Sequence, residues 1–265
     1  LTLGQMARSA ITKPYTDSMA NRYQWCVAAV PSVAWAKKIF PEDRSNTAVE
    51  RLWELILRVS RADGKDPLTD WMWHNRSLRA KCDKLNDLGF KELEYRSANG
   101  TRLRVGLIEQ AQFISGKKCT VGGNYFNPNI PTEECFTTPA RGRAEGIVYA
   151  VKPLSYGGEL IEDFWLRFEE GRAVACGAKK NAAMLEKILA MDEGASYLGE
   201  AALVPYDSPI NRTGILFYNT LFDENACCHL ALGRGYSNTI EGFESYSKSD
   251  FADMGVNDSS VHVDF

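Results

Sequence analysis

The sequence has only 3 histidines in 265 residues, so any site built on imidazole must use nearly all of them. It has no Cys-x-x-Cys pair, although seven cysteines are present: Cys26, Cys82, Cys119, Cys135, Cys176, Cys227 and Cys228. Their odd number and irregular spacing exclude a zinc ribbon and a thioredoxin-type centre, and read as scattered reduced thiols of a cytoplasmic protein. There is no excess of positive charge: 31 Lys and Arg stand against 34 Asp and Glu, for a formal net charge of −3. That balance excludes the basic footprint of a nucleic-acid binder. No apolar run is long enough to span a bilayer; the best, Cys26 to Val30, reads as a short core strand, so no membrane partner is expected. No signal peptide, internal repeat or low-complexity stretch is present. The chain opens on Leu1 rather than Met, and it is expected to begin inside a longer gene product.

What is present is the composition of a globular protein, 45% hydrophobic and 25% charged, with length enough for one large domain or two ordinary ones. The first part alternates strand and helix. Trp25 to Val30 reads as a strand closed by Pro31, and Ser32 to Phe40 as a helix stopped by Pro41. Ala48 to Arg61 carries apolar residues at helical spacing. Asp66 and Pro67 read as cap and first turn of a third helix, which Gly89 ends. Strand patterning follows. Lys91 to Arg96 and Thr101 to Leu107 flank Asn99-Gly100, a strong hairpin signal. Gly146 to Val151, Leu160 to Phe168 and Arg172 to Cys176 read as strands, with a turn at Glu170-Gly171. Asn181 to Met191 reads as a helix and Ala201 to Val204 as a short strand. The change of pattern near residue 87 is a candidate domain boundary.

Several acids and histidines stand in unusual company. In "VHVDF", His262 and Asp264 are two apart, on one face if the segment is a strand. In "DENACCHLALGRGY", read as a helix, His229 and Tyr236 lie about two turns apart on one face. Glu224 falls off that face, and Cys227 and Cys228 read as packing residues rather than ligands. Glu133 and Glu134 sit between prolines in "NIPTEECFTTP", and Glu200 directly precedes an apolar strand. A carboxylate entering an apolar strand must be paired, protonated or bound to metal. Three carboxylates and two imidazoles are enough donors for two divalent ions.

Four segments, "NIPTEECFTTP", "LGEAALVPYDSPI", "GILFYNTLFDENACCHLALGRGY" and "VHVDF", occur in the order in which they resemble the signature segments of the aminopeptidase T, aminopeptidase S and aminopeptidase II family, bacterial metallo-aminopeptidases of the thermophilic metalloprotease type. "WCVAAVPSVAWAKKIFP" and the "ANGTRLRVGL" hairpin are similar too, so the resemblance covers nearly the whole chain. It implies an α/β N-terminal domain, partial here (1–86), and an α+β catalytic domain with a mixed, largely antiparallel sheet (87–265). It also implies that the family's further N-terminal part and its short C-terminal tail lie outside this sequence. The implied activity is release of single residues from peptides with a free N-terminus. The implied cofactors are two divalent ions (zinc, cobalt, manganese or magnesium), in a cytoplasmic homodimer. The implied metal ligands are Glu134 (rather than Glu133), Glu200 as the bridging residue, His229, His262 and Asp264. Tyr236 would donate to the oxyanion, and Glu224 is the candidate proton shuttle. One departure is Arg102, where the family hairpin usually carries aspartate. Two rivals remain: a peptide-binding protein of the same fold without turnover, and a metal-free carboxylate-pair hydrolase such as a glycosidase using Glu134 and Glu200.

Overall fold

Helices lead the chain, and each forms where a cap and an apolar stripe coincide. The computed structural model of the protein describes residues 17–18 and 21–265. The helix Val33–Ile39 is capped by Ser32, whose hydroxyl accepts from Trp35 N, and Lys37 and Lys38 lie in its last turn. There their charge complements the helix dipole. The helix Ser45–Val59 buries Ala48, Leu52, Leu55, Ile56 and Val59, one stripe at helical spacing. Fully burying a leucine such as Leu52 contributes about 1.5–3 kcal/mol. The expected end at Arg61 is two residues late, because Arg61 adopts φ +54° and the Ala62 amide closes back on Leu57 O at 2.7 Å. The helix Pro67–Asp87 starts as expected, with Asp66 accepting from Thr69 N and Pro67 in the first turn. The run Trp25 to Val30 is not a core strand. Val27 makes an isolated bridge to Asn129, and Val27 and Val30 are 46% and 72% exposed. Its bonding partner is the loop at Pro128–Ile130, which offers no ladder to extend.

The strands in chain order are β1 (Glu92–Arg96), β2 (Arg102–Leu107), β3 (Lys118–Cys119), β4 (Tyr125–Phe126), β5 (Cys135–Thr137), β6 (Pro139–Tyr149), β7 (Leu154–Tyr156), β8 (Glu159–Ile161), β9 (Trp165–Glu169), β10 (Arg172–Gly177), β11 (Leu198–Leu203), β12 (His229–Gly233) and β13 (His262–Asp264). One sheet has the order β1-β2-β6-β9-β10 and a second β13-β12-β11-β5. Their strand pairs are antiparallel, and the Val27–Asn129 bridge is parallel. The β1–β2 hairpin closes through Ser97–Thr101 rather than through a tight Asn-Gly pair. Asn99 instead uses its side chain, accepting from Thr101 N and donating to Tyr149 O of β6. Arg102 folds back on the same hairpin, donating to Ser97 O and Thr101 O. The stretch Leu160 to Phe168 breaks into β8 and β9 at Asp163, whose φ is +50°. Glu170 and Gly171 both have positive φ (47° and 78°), as a tight hairpin turn requires. The expected helix Asn181 to Met191 is Ala182–Leu189.

The two larger sheets share one core. Leu103, Val105, Leu166 and Phe168 from the first meet Leu198, Ala201, Leu230, Leu232 and Val263 from the second, with Leu185 and Ile188 of the helix Ala182–Leu189. The leading helices bury Leu52, Ile56 and Val59 against Ile210, Phe217, Phe222 and Ala226 from much later in the chain. A division into 1–86 and 87–265 is a proposal drawn from the change of sequence pattern. Among the described residues, no helix is long and apolar enough to cross a membrane.

Candidate metal centre

The face of the second sheet turned away from the core carries the candidate site. The helix expected through "CCHLALGRGY" is not there: His229–Gly233 is strand β12, preceded by the short turns Thr220–Asp223 and Glu224–Ala226. The strict alternation of His-Leu-Ala-Leu-Gly explains it, since Leu230 and Leu232 enter the core while His229, Ala231 and Gly233 face the other way. In β13, Val263 joins the core and His262 and Asp264 take the opposite face, the alternation expected from the sequence.

Strand β11 reaches the same result by a different route. Leu198 and Ala201 both belong to the core, which a straight strand forbids for residues three apart. The register against β12 shifts between Leu198 and Glu200, so Gly199 is the extra residue of a bulge. A Cβ at Gly199 would stand 2.3 Å from Arg234 O, so only glycine fits there. The bulge turns Glu200 out of the core and onto the site face. Ala231 is in register with both Glu200 and Asp264, and its methyl group leaves the space between the two acids open. Glu134 arrives from the residue before β5, and Tyr236 from the turn after β12.

Two overlapping groups result: Glu134, Glu200 and His229, and Glu200, His262 and Asp264, each with donor atoms within 4.8 Å of one another. Glu134 Oε2 lies 3.0 Å from His229 Nε2. His262 Nε2 lies 3.1 Å from Glu200 Oε2 and 3.3 Å from Asp264 Oδ1. Both imidazoles are oriented alike. His229 Nδ1 faces Cys227 O at 3.2 Å and His262 Nδ1 faces Arg234 O at 2.8 Å. A carbonyl only accepts, so Nδ1 carries the proton and Nε2 is turned to the carboxylates, the orientation a metal-binding histidine needs. Glu224 hydrogen-bonds to Asp264 and so joins the acids. Tyr236 packs its ring on His262, centroids 4.6 Å apart, and on Phe136 at 5.5 Å. Neither Cys227 nor Cys228 belongs to the groups; the Cys228 thiol bonds the Val204 backbone.

The electrostatics are those of several acids buried close together. Burial, then the neighbouring carboxylates, push the Glu200 carboxyl up to about 7 even though His262 works against it. Burial and the charges of Asp264 and Glu134 push Glu224 well above the carboxylate range. Burial pulls His229 down, but the hydrogen bond and charge of Glu134 outweigh it and raise the imidazole well above its usual value. Burial also pulls His262 down, and Asp264 and Glu200 together raise it. Burial and the surrounding acids raise the Tyr236 phenol, so it stays a hydrogen-bond donor. The ion partners of Glu134, Glu200 and Asp264 among the described residues are these two histidines alone. Carboxylates and imidazoles converging around one shared glutamate make a mixed oxygen and nitrogen donor set that fits divalent cations, which would take the place of the imidazole protons.

Glu133 goes elsewhere. It is 4% exposed and forms a two-pronged ion pair with Arg61, whose Nη2 lies 2.9 Å from Glu133 Oε2. His74 Nε2 lies 3.9 Å from Glu133 Oε1 and bonds Thr132 O at 2.7 Å. Asn225 accepts from Glu133 N at 2.7 Å and donates to Leu221 O at 3.0 Å, tying the Glu134 loop to the Glu224 turn. Arg61, His74 and Asn225 were not among the residues singled out by sequence, because polar residues that meet only in the fold leave no spacing to read. The cluster opens into a cavity of about 880 Å³ lined by Glu134, Glu200, Glu224, His229, Tyr236 and Asp264 together with Lys118.

Comparisons with known proteins show the family and the fold. A model of the thermophilic metalloprotease (M29) family matches residues 2–265. The chain is 43% identical over 264 residues to an aminopeptidase 2 from Geobacillus stearothermophilus, covering 100% of this chain and 64% of the relative. It is 44% identical over 262 residues to an aminopeptidase T from Thermus aquaticus, covering 98% of this chain and 64% of the relative. Its fold resembles the solved structure of wild-type AmpT from Thermus thermophilus, with TM-score 0.87 and 42% identity over 98% of this chain and 63% of that one. The chain therefore spans about 64% of the length of the curated relatives it matches.

Proposed function

The chain belongs to the thermophilic metalloprotease (M29) family, and from that premise we propose that it is a metal-dependent aminopeptidase that releases single N-terminal residues from peptides. The observation that carries this reading is the pair of donor groups sharing Glu200. Glu134 and His229 would hold one divalent ion, His262 and Asp264 a second, with Glu200 between them. When bound, such ions polarise a peptide carbonyl and lower the pKa of a water.

The remaining roles fall to the chain's own groups. The acids of the floor attract the ammonium of the substrate's first residue. The phenol of Tyr236, kept protonated by burial and by the acids around it, donates to the oxygen that gains charge as the bond breaks. Glu224, its carboxyl raised by burial and by the charges of Asp264 and Glu134, is placed to pass a proton to the departing amine. Zinc, cobalt, manganese and magnesium all suit the donor set. A cytoplasmic homodimer is part of the same proposal.

The test is leucine release from leucyl dipeptides by chain loaded with each of these metals, with and without a chelator. Release that the chelator stops, with two ions bound per chain, supports the reading. Tight peptide binding without release would favour the binding-protein alternative. Release that the chelator leaves untouched would favour a metal-free carboxylate pair, a reading that gives the two oriented histidines no task.

A further inference from the structure

The cavity at the metal centre has a floor and a wall of opposite charge. The floor holds Glu134, Glu200, Glu224 and Asp264. The wall is formed by the β3–β4 hairpin and the helix Pro67–Asp87, which bring Lys117, Lys118 and Arg76 to the same space. Two of these cations lie against aromatic rings at the rim: Lys117 Nζ is 3.7 Å from the Tyr125 centroid, and the Arg76 guanidinium is 5.1 Å from that of Trp73.

Lys118 is placed differently. It is half-buried, and its ammonium sits 5.7 Å from the Trp25 ring centroid. Among the described residues its side chain makes no hydrogen bond and no ion pair. Burial pulls its ammonium down, and Glu134 and Glu200, near enough to act on its charge but outside pairing distance, work to raise it. A partly buried ammonium without an anion is costly to hold. Here it faces the acids across open space, into which a substrate fits.

A dipeptide is a zwitterion whose charged ends lie on the order of 5 Å apart. With its ammonium drawn to the acidic floor and its peptide bond above the donor groups, its carboxylate is carried toward the wall. The geometry points to Lys118 as the residue that binds the C-terminal carboxylate of a short peptide, making the site selective for free-acid dipeptides over C-terminally blocked ones. This rests on the aminopeptidase reading. Lys118 is a specificity-determining residue in it, and the rim cations Lys117 and Arg76 steer the same carboxylate inward.

The test compares leucyl-glycine with leucyl-glycinamide on the parent chain and on Lys118→Met. A charge-assisted contact of this kind corresponds to about tenfold to hundredfold. The parent should favour the free acid by that factor in kcat/KM. In Lys118→Met the free acid should fall to the level of the amide while the amide changes less than about twofold. Equal loss on both substrates overturns the proposal, because it places Lys118 at the reacting carbonyl or in the fold. So does a parent that does not discriminate. Equilibrium binding separates this result from failure of the underlying activity. A dipeptide analogue with a reduced peptide bond, as free acid and as carboxamide, is titrated calorimetrically into both proteins. Preference for the acid in the parent and its loss in Lys118→Met supports the carboxylate site even if no leucine is released. Equal binding of acid and amide by the parent overturns it even if leucine is released from both substrates.

Discussion

Glu133 and Glu134 are consecutive, 4% and 7% exposed, and held by the same loop, yet they end in opposite electrostatic settings. Glu133 faces a guanidinium with two prongs and a backbone fixed by Asn225. Its charge is matched within the protein. Glu134 faces His229 in a cluster that also holds Glu200, Asp264 and Glu224, where imidazoles are the ion partners. The first arrangement is complete as it stands; the second gains from a cation of higher charge. The comparison separates acids kept for the fold from acids kept for chemistry, and it can be broken by removing one member from each side.

The largest effect should come from Glu200→Ala. Losing the residue shared by both donor groups should lower dipeptide hydrolysis by on the order of a thousandfold or more, the loss of several kcal/mol of charge stabilisation. Stability should not follow. Glu200 has its carboxyl pushed up to about 7, above its unfolded value, so its ionised form costs stability at higher pH. Metal-free Glu200→Ala should therefore unfold at pH 8 no more easily than the parent. A variant that unfolds readily yet keeps its activity would put Glu200 on the structural side of the comparison.

Tyr236→Phe should come next, with kcat down about a hundredfold, KM little changed and metal content intact. Its ring is held by His262 and Phe136, contacts that phenylalanine keeps. Steady-state kinetics on metal-saturated protein decide; an unchanged kcat with a lower melting temperature removes the oxyanion role.

Arg61→Met tests the other side. The Arg61 side chain is 25% exposed and that of Glu133 is 5% exposed, so removing the guanidinium leaves a nearly buried carboxylate unpaired. The loss should be about 2–3 kcal/mol of unfolding free energy, below the range for fully buried pairs because Arg61 is partly solvated. Denaturant titration measures it. The double variant Arg61→Met with Glu133→Gln should lose less than the sum of the singles. Full additivity would show that the two side chains do not act as a pair.

How legible the site was depended on whether a residue announces itself locally. His262 and Asp264 could be placed on one face because a short alternating stretch has few alternatives. The same alternation is present in His229 to Gly233, but the preceding run of helix-compatible residues favours a helix reading, against which Gly233 and Gly235 already weigh. Leu230 and Leu232 were the signal that could have corrected it, since apolar residues two apart flanked by small ones favour a buried strand. The bulge at Gly199 and the Ala231 register were hidden because both depend on the partner strand. Arg61, Asn225 and Lys118 were hidden for a stronger reason: each acts across many intervening residues, and a single chain carries no periodicity for such pairs. The family resemblance supplied the set of candidate ligands, and the strand faces supply the physical reason that those side chains meet.

The smallest expected effect concerns how the His262–Asp264 strand is held in place. Asp192 caps the short turn Glu193–Ser196, accepting from Ala195 N at 2.9 Å. Its carboxylate also accepts from Ser259 Oγ at 2.8 Å, Ser260 N at 2.7 Å and Ser260 Oγ at 2.6 Å, which pins the residues just ahead of β13. Partial burial works to raise this carboxyl, but the donors of Ser260, Ser259 and Ala195 outweigh it and hold it at about 2. A folded value below the unfolded one means that the stabilisation is fully present above the unfolded value. It is then lost as pH falls toward 2. With partial exposure, solvent screening reduces the contribution to about 1 kcal/mol. Asp192→Asn should therefore be less stable than the parent by about that amount at pH 6, and the gap should close as pH falls toward 2. The difference between parent and variant, taken from denaturant unfolding at a series of pH values, isolates Asp192 from the other carboxylates, which titrate alike in both. A gap that stays constant down to acid would mean that the four hydrogen bonds do not favour the ionised form. The segment ahead of the strand bearing His262 and Asp264 would then be held by bonds that do not depend on that charge, such as Arg234 Nε to Ser259 O and Asn257 to Gly194 O and Gly233 O.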